Sequence, residues 1–353
     1  MTHPYADLGP EAYWKTAVAD KGAFGLSGLW TPKFRIRPND KIVTFGSCFA
    51  QHFGKALAAR GYSWHNCEPP PPYISDEVAR DFGYGVFSVR TGNIYTPAML
   101  LQWLQRAYGE VEERDELWEQ DGRWYDPLRP AIEPNGFASE QEVWDARDRS
   151  YAALRNAVSD ASVFVFTLGL TECWRNRTTG LEYAICPGTA AGQFDEEQHT
   201  FMNTSQRMTL RYLENAIRLL RRHNRRLRIL LTVSPVPLTA TASGQHVLVA
   251  TQYSKSVLRA SAGIVAAENE AVDYFPSFEI ITHPIFRGMF FAPNMRSVEP
   301  QGVQTVMSHF FADQARVFGA EKAKPAQAAA PETVPVAEED LRCEEELLNA
   351  FAR

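Results

Sequence analysis

No CxxC pair, no basic leader and no run of about 18 apolar residues occurs in this 353-residue chain. Each absence removes a class of protein. The five cysteines (Cys48, Cys67, Cys173, Cys186 and Cys343) are odd in number and widely spaced. A disulfide framework and a structural zinc site are therefore not expected, and a reducing compartment fits better. The N-terminus, MTHPYADLGPEAYWK, has no basic segment followed by an apolar core, so no signal peptide is expected. No membrane span is expected either, and the reading is cytoplasmic. Positive charge is also scarce. The net charge is −6, and residues Ala320–Arg353, with eight acids and four bases, carry −4 of it. Nucleic acid is excluded as an expected partner, because phosphate binding requires a basic footprint. The one local cluster of arginines, Arg218 to Arg228, falls at a predicted helix end, where cations complement the dipole.

What is present is apolar and periodic. With 45% hydrophobic residues the chain can bury a large core. The most informative stretch is Lys41–Arg60, KIVTFGSCFAQHFGKALAAR. Ile42, Val43 and Phe45 form a short run of the kind buried in parallel sheets. Gly46 permits a sharp turn, and Phe49, Phe53, Ala56 and Leu57 recur at helical spacing. Ser47 and Cys48 are left at the bend, at the carboxyl edge of a sheet and near the positive end of a helix dipole. Packing of small residues in a βα turn explains the same spacing equally well.

The motif GSCFA resembles the signature of the GSCFA-domain family of bacterial proteins. FSVRTGNIYTPAMLLQ (Phe87–Gln102), DPLRPAIEPNGF (Asp126–Phe137), TLGLTECW (Thr167–Trp174), SPVPLTAT (Ser234–Thr241), YSKSVLRA (Tyr253–Ala260) and YFPSFEII (Tyr274–Ile281) resemble that family in the same order. The resemblance covers about Pro32 to Phe318. It implies membership of the SGNH/GDSL hydrolase superfamily, with a flavodoxin-like three-layer, doubly wound α/β fold in which the serine after the first strand attacks an ester.

The expected organisation is a lead-in at 1–40 packed on the core, a GSCFA/SGNH-like domain at 41–319 with loop insertions at 68–138 and 180–204, and a flexible C-terminal tail made of an Ala/Pro/Glu-rich linker at 320–337 and a short amphipathic helix at 338–353. In that last segment Leu341, Leu347, Leu348 and Phe351 share a face that could dock on this domain or on a protein partner. Within the domain, Thr96 and Pro97 open a predicted helix to about Tyr108. Ser139-x-x-Glu142 makes a capping box for Glu140–Val158. VFVFTL and RILLTV are predicted strands, and Val272–Ile281 is expected to hold the last one.

Acyl transfer needs a nucleophile, a base and oxyanion donors. Ser47 takes the first role by resemblance, and Cys48 is the alternative nucleophile, since a thiol at a helix N-terminus has a lowered pKa. The superfamily's oxyanion blocks map to Gly92-Asn93 and to Gly169, Thr171 and Glu172, where Thr171 stands in place of Asn and Glu172 in place of Asp. Ser47's own N–H is the further donor. Close-packing and Asx turns are the alternative for these positions. The superfamily's Asp-x-x-His pair is replaced here by Asn294 and Ser297, which do no acid–base chemistry near neutral pH.

The base is therefore sought elsewhere. His246 is preferred and His283 is the alternative, each placed near a predicted strand end, with Glu279 or Glu172 to orient the ring. Helix capping is the competing account of His246. His52 is expected to be structural. Lys255 and Arg259, at i and i+4, either pair with acids or hold an anionic substrate group. Arg90, Arg129, Arg287 and Arg296 admit the same two readings. The functional expectation is a serine esterase or O-acyltransferase for an acylated carbohydrate or small metabolite, needing no metal or organic cofactor. A catalytically decayed module that binds a glycan or an anionic ligand is the alternative.

Overall fold

The computed structural model describes residues 3–111, 116–320 and 343–352. Most of the expected linker, 320–337, and the start of the expected helix, 338–342, lie outside the described residues. In chain order the elements begin with β1 (Ile42–Gly46), α1 (Phe49–Ala59), α2 (Asp76–Asp81) and α3 (Pro97–Ala107). A hairpin of β2 (Trp118–Gln120) and β3 (Arg123–Tyr125) precedes α4 (Glu140–Asp160) and β4 (Val163–Leu168). Then come β5 (Glu172–Asn176), β6 (Glu182–Tyr183), β7 (His199–Asn203), α5 (Gln206–His223), β8 (Arg228–Val233) and α6 (Val247–Glu268). The body closes with β9 (Val272–Tyr274), α7 (Ser277–Thr282) and α8 (Pro300–Phe318).

A parallel sheet ordered β1-β4-β8-β9 forms the centre. Its strands are buried on both faces, and their side chains alternate between two cores. Val43, Phe45, Phe164, Phe166, Ile229 and Leu231 pack with Leu154, Leu213 and Leu258 from α4, α5 and α6. Ile42, Val163, Val165 and Leu230 pack on the other face with Phe49, Phe53, Val306 and Phe310 from α1 and α8. This is the three-layer α/β arrangement. Beyond β1 the sheet gains a single parallel bridge, Ile42 to Trp64, closed by Ile42 N–H to Ser63 O and His65 N–H to Ile42 O. Counting that bridge as strand two gives the order 2-1-3-4-5 of flavodoxin-like sheets. The winding reverses between β1 and β4, and ligands in such sheets bind outside the carboxyl ends at that point.

Local chemistry sets the helix starts. Thr96 accepts from Met99 N–H with Pro97 at the first turn. Ser139 accepts from Glu142 N–H while the Glu142 carboxylate returns to Ala138 N–H. Val272–Ile281 holds the last strand as expected: it is Val272–Tyr274, and Pro276, which cannot donate to the sheet, separates it from the helix Ser277–Thr282. The excursion at 180–204 returns to β5 as an antiparallel sheet ordered β6-β5-β7. No helix among the described residues is long and apolar enough to cross a membrane.

Candidate active site

β1 ends at Gly46, whose φ is +131° and where a Cβ would lie 2.3 Å from Thr167 O, so only glycine fits there. The chain turns through Ser47 into Cys48, the N-cap of α1. Ser47 N–H donates to Thr167 O at 3.0 Å, which extends the β1–β4 ladder and removes that N–H from the expected oxyanion hole. Ser47 is 2% exposed and its Oγ has no hydrogen-bond partner. Its neighbour Cys48 is also buried, and its charge would act on Tyr95 and Lys255.

The second wall is the loop before α3. Gly92, at φ +67°, lets the chain pass 3.3 Å from Arg129 Cβ, measured from where its own Cβ would be. Asn93 and Tyr95 follow. That loop is held from below. Arg129 donates to Arg90 O, to Ser150 Oγ and to Asp126, and Arg147 also donates to Asp126. All of this is buried. Burial alone would raise Asp126, but the Arg147 and Arg129 guanidiniums overcome it and hold the carboxyl below its usual range. The Arg90 guanidinium pairs with Glu133 at 2.9 Å, so Arg90 and Arg129 both act as structural ions. Gly169 follows β4 and is a close-packing position. Its N–H donates to Tyr95 O, and its carbonyl accepts from Lys255 Nζ at 2.7 Å.

The third wall holds cations. Lys255, on α6, is 1% exposed, and burial lowers its pKa to about 8. Arg296 comes from the stretch expected to carry the Asp-x-x-His pair. There Asn294 Oδ1 accepts from the N–H groups of Arg296 and Ser297, both at 2.9 Å, while its Nδ2 donates to Ser297 Oγ. Asn294 and Ser297 build an Asx turn that presents a guanidinium.

The other candidates lie elsewhere or are committed. Thr171 donates to Asn203 Oδ1 at 2.7 Å, so its hydroxyl is not an oxyanion donor. Glu172 accepts from Thr241 Oγ1 and lines the adjoining cavity, where burial raises its pKa. His246 is exposed and caps α6, with Nδ1 accepting from Leu248 N–H. His283 follows a helix rather than a strand, accepts from Ile285 N–H and packs against Trp14. Glu279 pairs with Arg259 and accepts from Tyr274, so it orients no histidine. His52 is buried without a partner for Nδ1.

The chain's own C-terminal segment occupies the site. Glu344 accepts from Asn93 Nδ2, from Asn93 N–H at 3.5 Å and from Tyr95 Oη at 3.0 Å. Glu345 pairs with Arg296 at 3.6 Å and sits in the field of Lys255. Cys343 Sγ lies 3.7 Å from Arg296 Nη2 and 3.7 Å from Tyr95 Oη. The influence of the Cys343 thiol first, then burial, pushes the Cys48 thiol well above its ordinary value, the reverse of the expected lowering. The influence of Cys48, together with Arg296, brings Cys343 down to about 7 against the effect of burial. Burial, Cys343 and Glu344 raise Tyr95, which stays a protonated donor. Leu348 and Phe351 close a cavity of about 280 Å³ lined by Leu170, Trp174 and Leu238 among others.

Sequence reasoning did not single out Tyr95, Cys343, Glu344 or Glu345. The signal available for the last three was the apolar face of the tail, which requires a surface to cover. The model of the GSCFA family matches residues 41–310. No curated protein and no solved structure matches the chain.

Proposed function

This chain belongs to the GSCFA family, and we propose that its site transfers an acyl group from an ester through Cys48, with water or a sugar hydroxyl as acceptor. The observation that carries this reading is the Glu344 carboxylate, seated on Asn93 Nδ2, Asn93 N–H and the Tyr95 hydroxyl. Two of these donors, Asn93 Nδ2 and Tyr95 Oη, converge on the single oxygen Oε2, and such a pair can equally hold the oxyanion of a tetrahedral intermediate. Cys48 lies close enough to Tyr95 to act on its hydroxyl electrostatically.

In this mechanism Lys255, near its titration point, takes the Cys48 proton. The thiolate attacks the ester carbon, and the carbonyl electron pair moves to an oxygen held by Asn93 and Tyr95. The intermediate collapses to a thioester as the alkoxide leaves and recovers the proton from Lys255. Water, or a carbohydrate hydroxyl, then displaces Cys48. Arg296 and the apolar cavity select the acyl group: the cation suits an anionic end, the cavity an apolar one.

A binding module for an anionic ligand is the second reading, favoured by the same donors together with Lys255 and Arg296. Hydrolysis of p-nitrophenyl acetate separates the two. Turnover lost in Cys48→Ala and kept in Ser47→Ala supports thiol chemistry. Loss in Ser47→Ala alone assigns serine attack, and absence of turnover in every protein leaves the binding reading.

A further inference from the structure

The Arg296 guanidinium is only partly satisfied. Its Nη1 donates to Glu346 at 3.2 Å. Its Nη2 lies 3.6 Å from the Glu345 carboxylate, beyond hydrogen-bond length, and its buried Nε has no partner. A guanidinium holds a carboxylate best on two parallel N–H groups, and Glu345 does not provide that fit. Lys255, 1% exposed, donates to Gly169 O at 2.7 Å and shares the field of Glu345 with Arg296. The two cations come from α6 and from the turn before α8. Among the described residues, the carboxylates paired with Arg296 all come from the terminal segment. Buried cations require a counter-charge, and here the chain's own tail supplies it with an imperfect geometry.

Consecutive residues of that tail fill two different subsites. Glu344 Oε2 sits on Asn93 Nδ2 and Tyr95 Oη, neutral donors that suit a carbonyl oxygen. Glu345 faces a cation, which suits a full negative charge. A ligand that reaches both carries a carbonyl at one end and a carboxylate a short chain away. We propose that the site takes the acyl group of a short dicarboxylic acid, presented as its half-ester. The ester carbonyl lies on Asn93 and Tyr95. The free carboxylate takes the place of Glu345 and bridges Nε and Nη2 of Arg296, so that ligand and terminal segment compete. Specificity for an anionic acyl end deepens the acyl-transfer reading and, for turnover, rests on it. The carboxylate subsite itself stands on the geometry of Arg296.

The test uses the full chain carrying Glu345→Gln, which removes the competing charge and keeps the side-chain shape. It is titrated by calorimetry with glutarate and with butyrate at equal ionic strength. Glutarate is expected to bind about tenfold tighter than butyrate, and about tenfold tighter than it binds the wild type. Arg296→Met in the Glu345→Gln background should abolish the preference for glutarate. Arg296→Lys keeps the charge but not the fork, should weaken glutarate several-fold, and decides the point if Arg296→Met does not fold. Equal affinity for the two acids, or a glutarate affinity indifferent to these substitutions, overturns the subsite. Equal glutarate affinity in wild type and Glu345→Gln overturns the competition. In the same proteins, kcat/KM for mono-p-nitrophenyl glutarate, corrected for spontaneous hydrolysis, should exceed that for p-nitrophenyl butyrate by about tenfold, and Arg296→Met should close the gap. Turnover of both esters without that gap overturns the assignment of the acyl group. Glutarate binding that depends on Arg296, with turnover of neither ester, overturns acyl transfer and leaves the carboxylate subsite standing.

Discussion

The Glu344 carboxylate accepts from both the side-chain amide and the backbone N–H of Asn93, a residue 251 positions earlier in the chain. The contact makes the terminal segment a ligand of its own site. Hydrogen bonds to a charged group contribute about 1.5–3 kcal/mol each to stability. Glu344→Ala should therefore release the segment and speed alkylation of Cys48 by iodoacetamide by roughly tenfold or more. Peptide mass spectrometry of Ile42–Lys55 over time measures this, and an unchanged rate would show that the segment does not shield the thiol.

Lys255 must be neutral to accept the proton of Cys48, and burial has brought it to about 8. Its charged form dominates below that value. Turnover is accordingly expected to rise with pH through about 8, with Glu345, Arg296 and the two cysteines as the other charges facing it. Lys255→Met should remove that limb of the pH–rate profile and lower turnover by about 100-fold, the usual scale for a general base.

Asp126 has two arginine partners and no exposure to water. Asp126→Asn leaves two buried guanidiniums without their counter-charge, and a loss of about 3–5 kcal/mol is expected. Urea unfolding of wild type and variant, compared at the same slope, checks it. Because the folded-state pKa of Asp126 is depressed, its contribution is complete at neutral pH and is lost as pH falls through that value.

His52 shows the opposite protonation preference. Burial, with a smaller contribution from Lys55, lowers its pKa from 6.5 to about 4, so the folded state keeps the ring neutral. The unfolded chain binds the proton first as pH drops. Stability should therefore decline between pH 6.5 and 4, by about 3 kcal/mol from this one group. His52→Phe should flatten that stretch of the stability–pH curve, followed by chemical denaturation at each pH.

The central layers were legible because their signals are local. VFVFTL and RILLTV are apolar runs of strand length, and Thr96-Pro97 and Ser139-x-x-Glu142 carry their own caps. The turn at Ser47 was legible for the same reason, since Gly46 reports a backbone that approaches Thr167 too closely for any side chain. The site failed to appear where it depends on partners remote in sequence. His246 reads as a base by position, but the ring satisfies Leu248 N–H instead. Asn294 and Ser297 read as a lost catalytic pair, whereas their hydrogen bonds set the turn that brings Arg296 into place. Nothing in CEEELLNAFAR taken alone says that it lies against Asn93, Tyr95 and Cys48.

The most direct test is acyl trapping. Reduced protein carrying Glu344→Ala is mixed briefly with p-nitrophenyl acetate, quenched in acid and digested. One acetyl group on Ile42–Lys55, removed by hydroxylamine and located at Cys48 by fragmentation, is the predicted result. An acetyl group on Ser47, or none on this peptide, would contradict thiol chemistry at this turn.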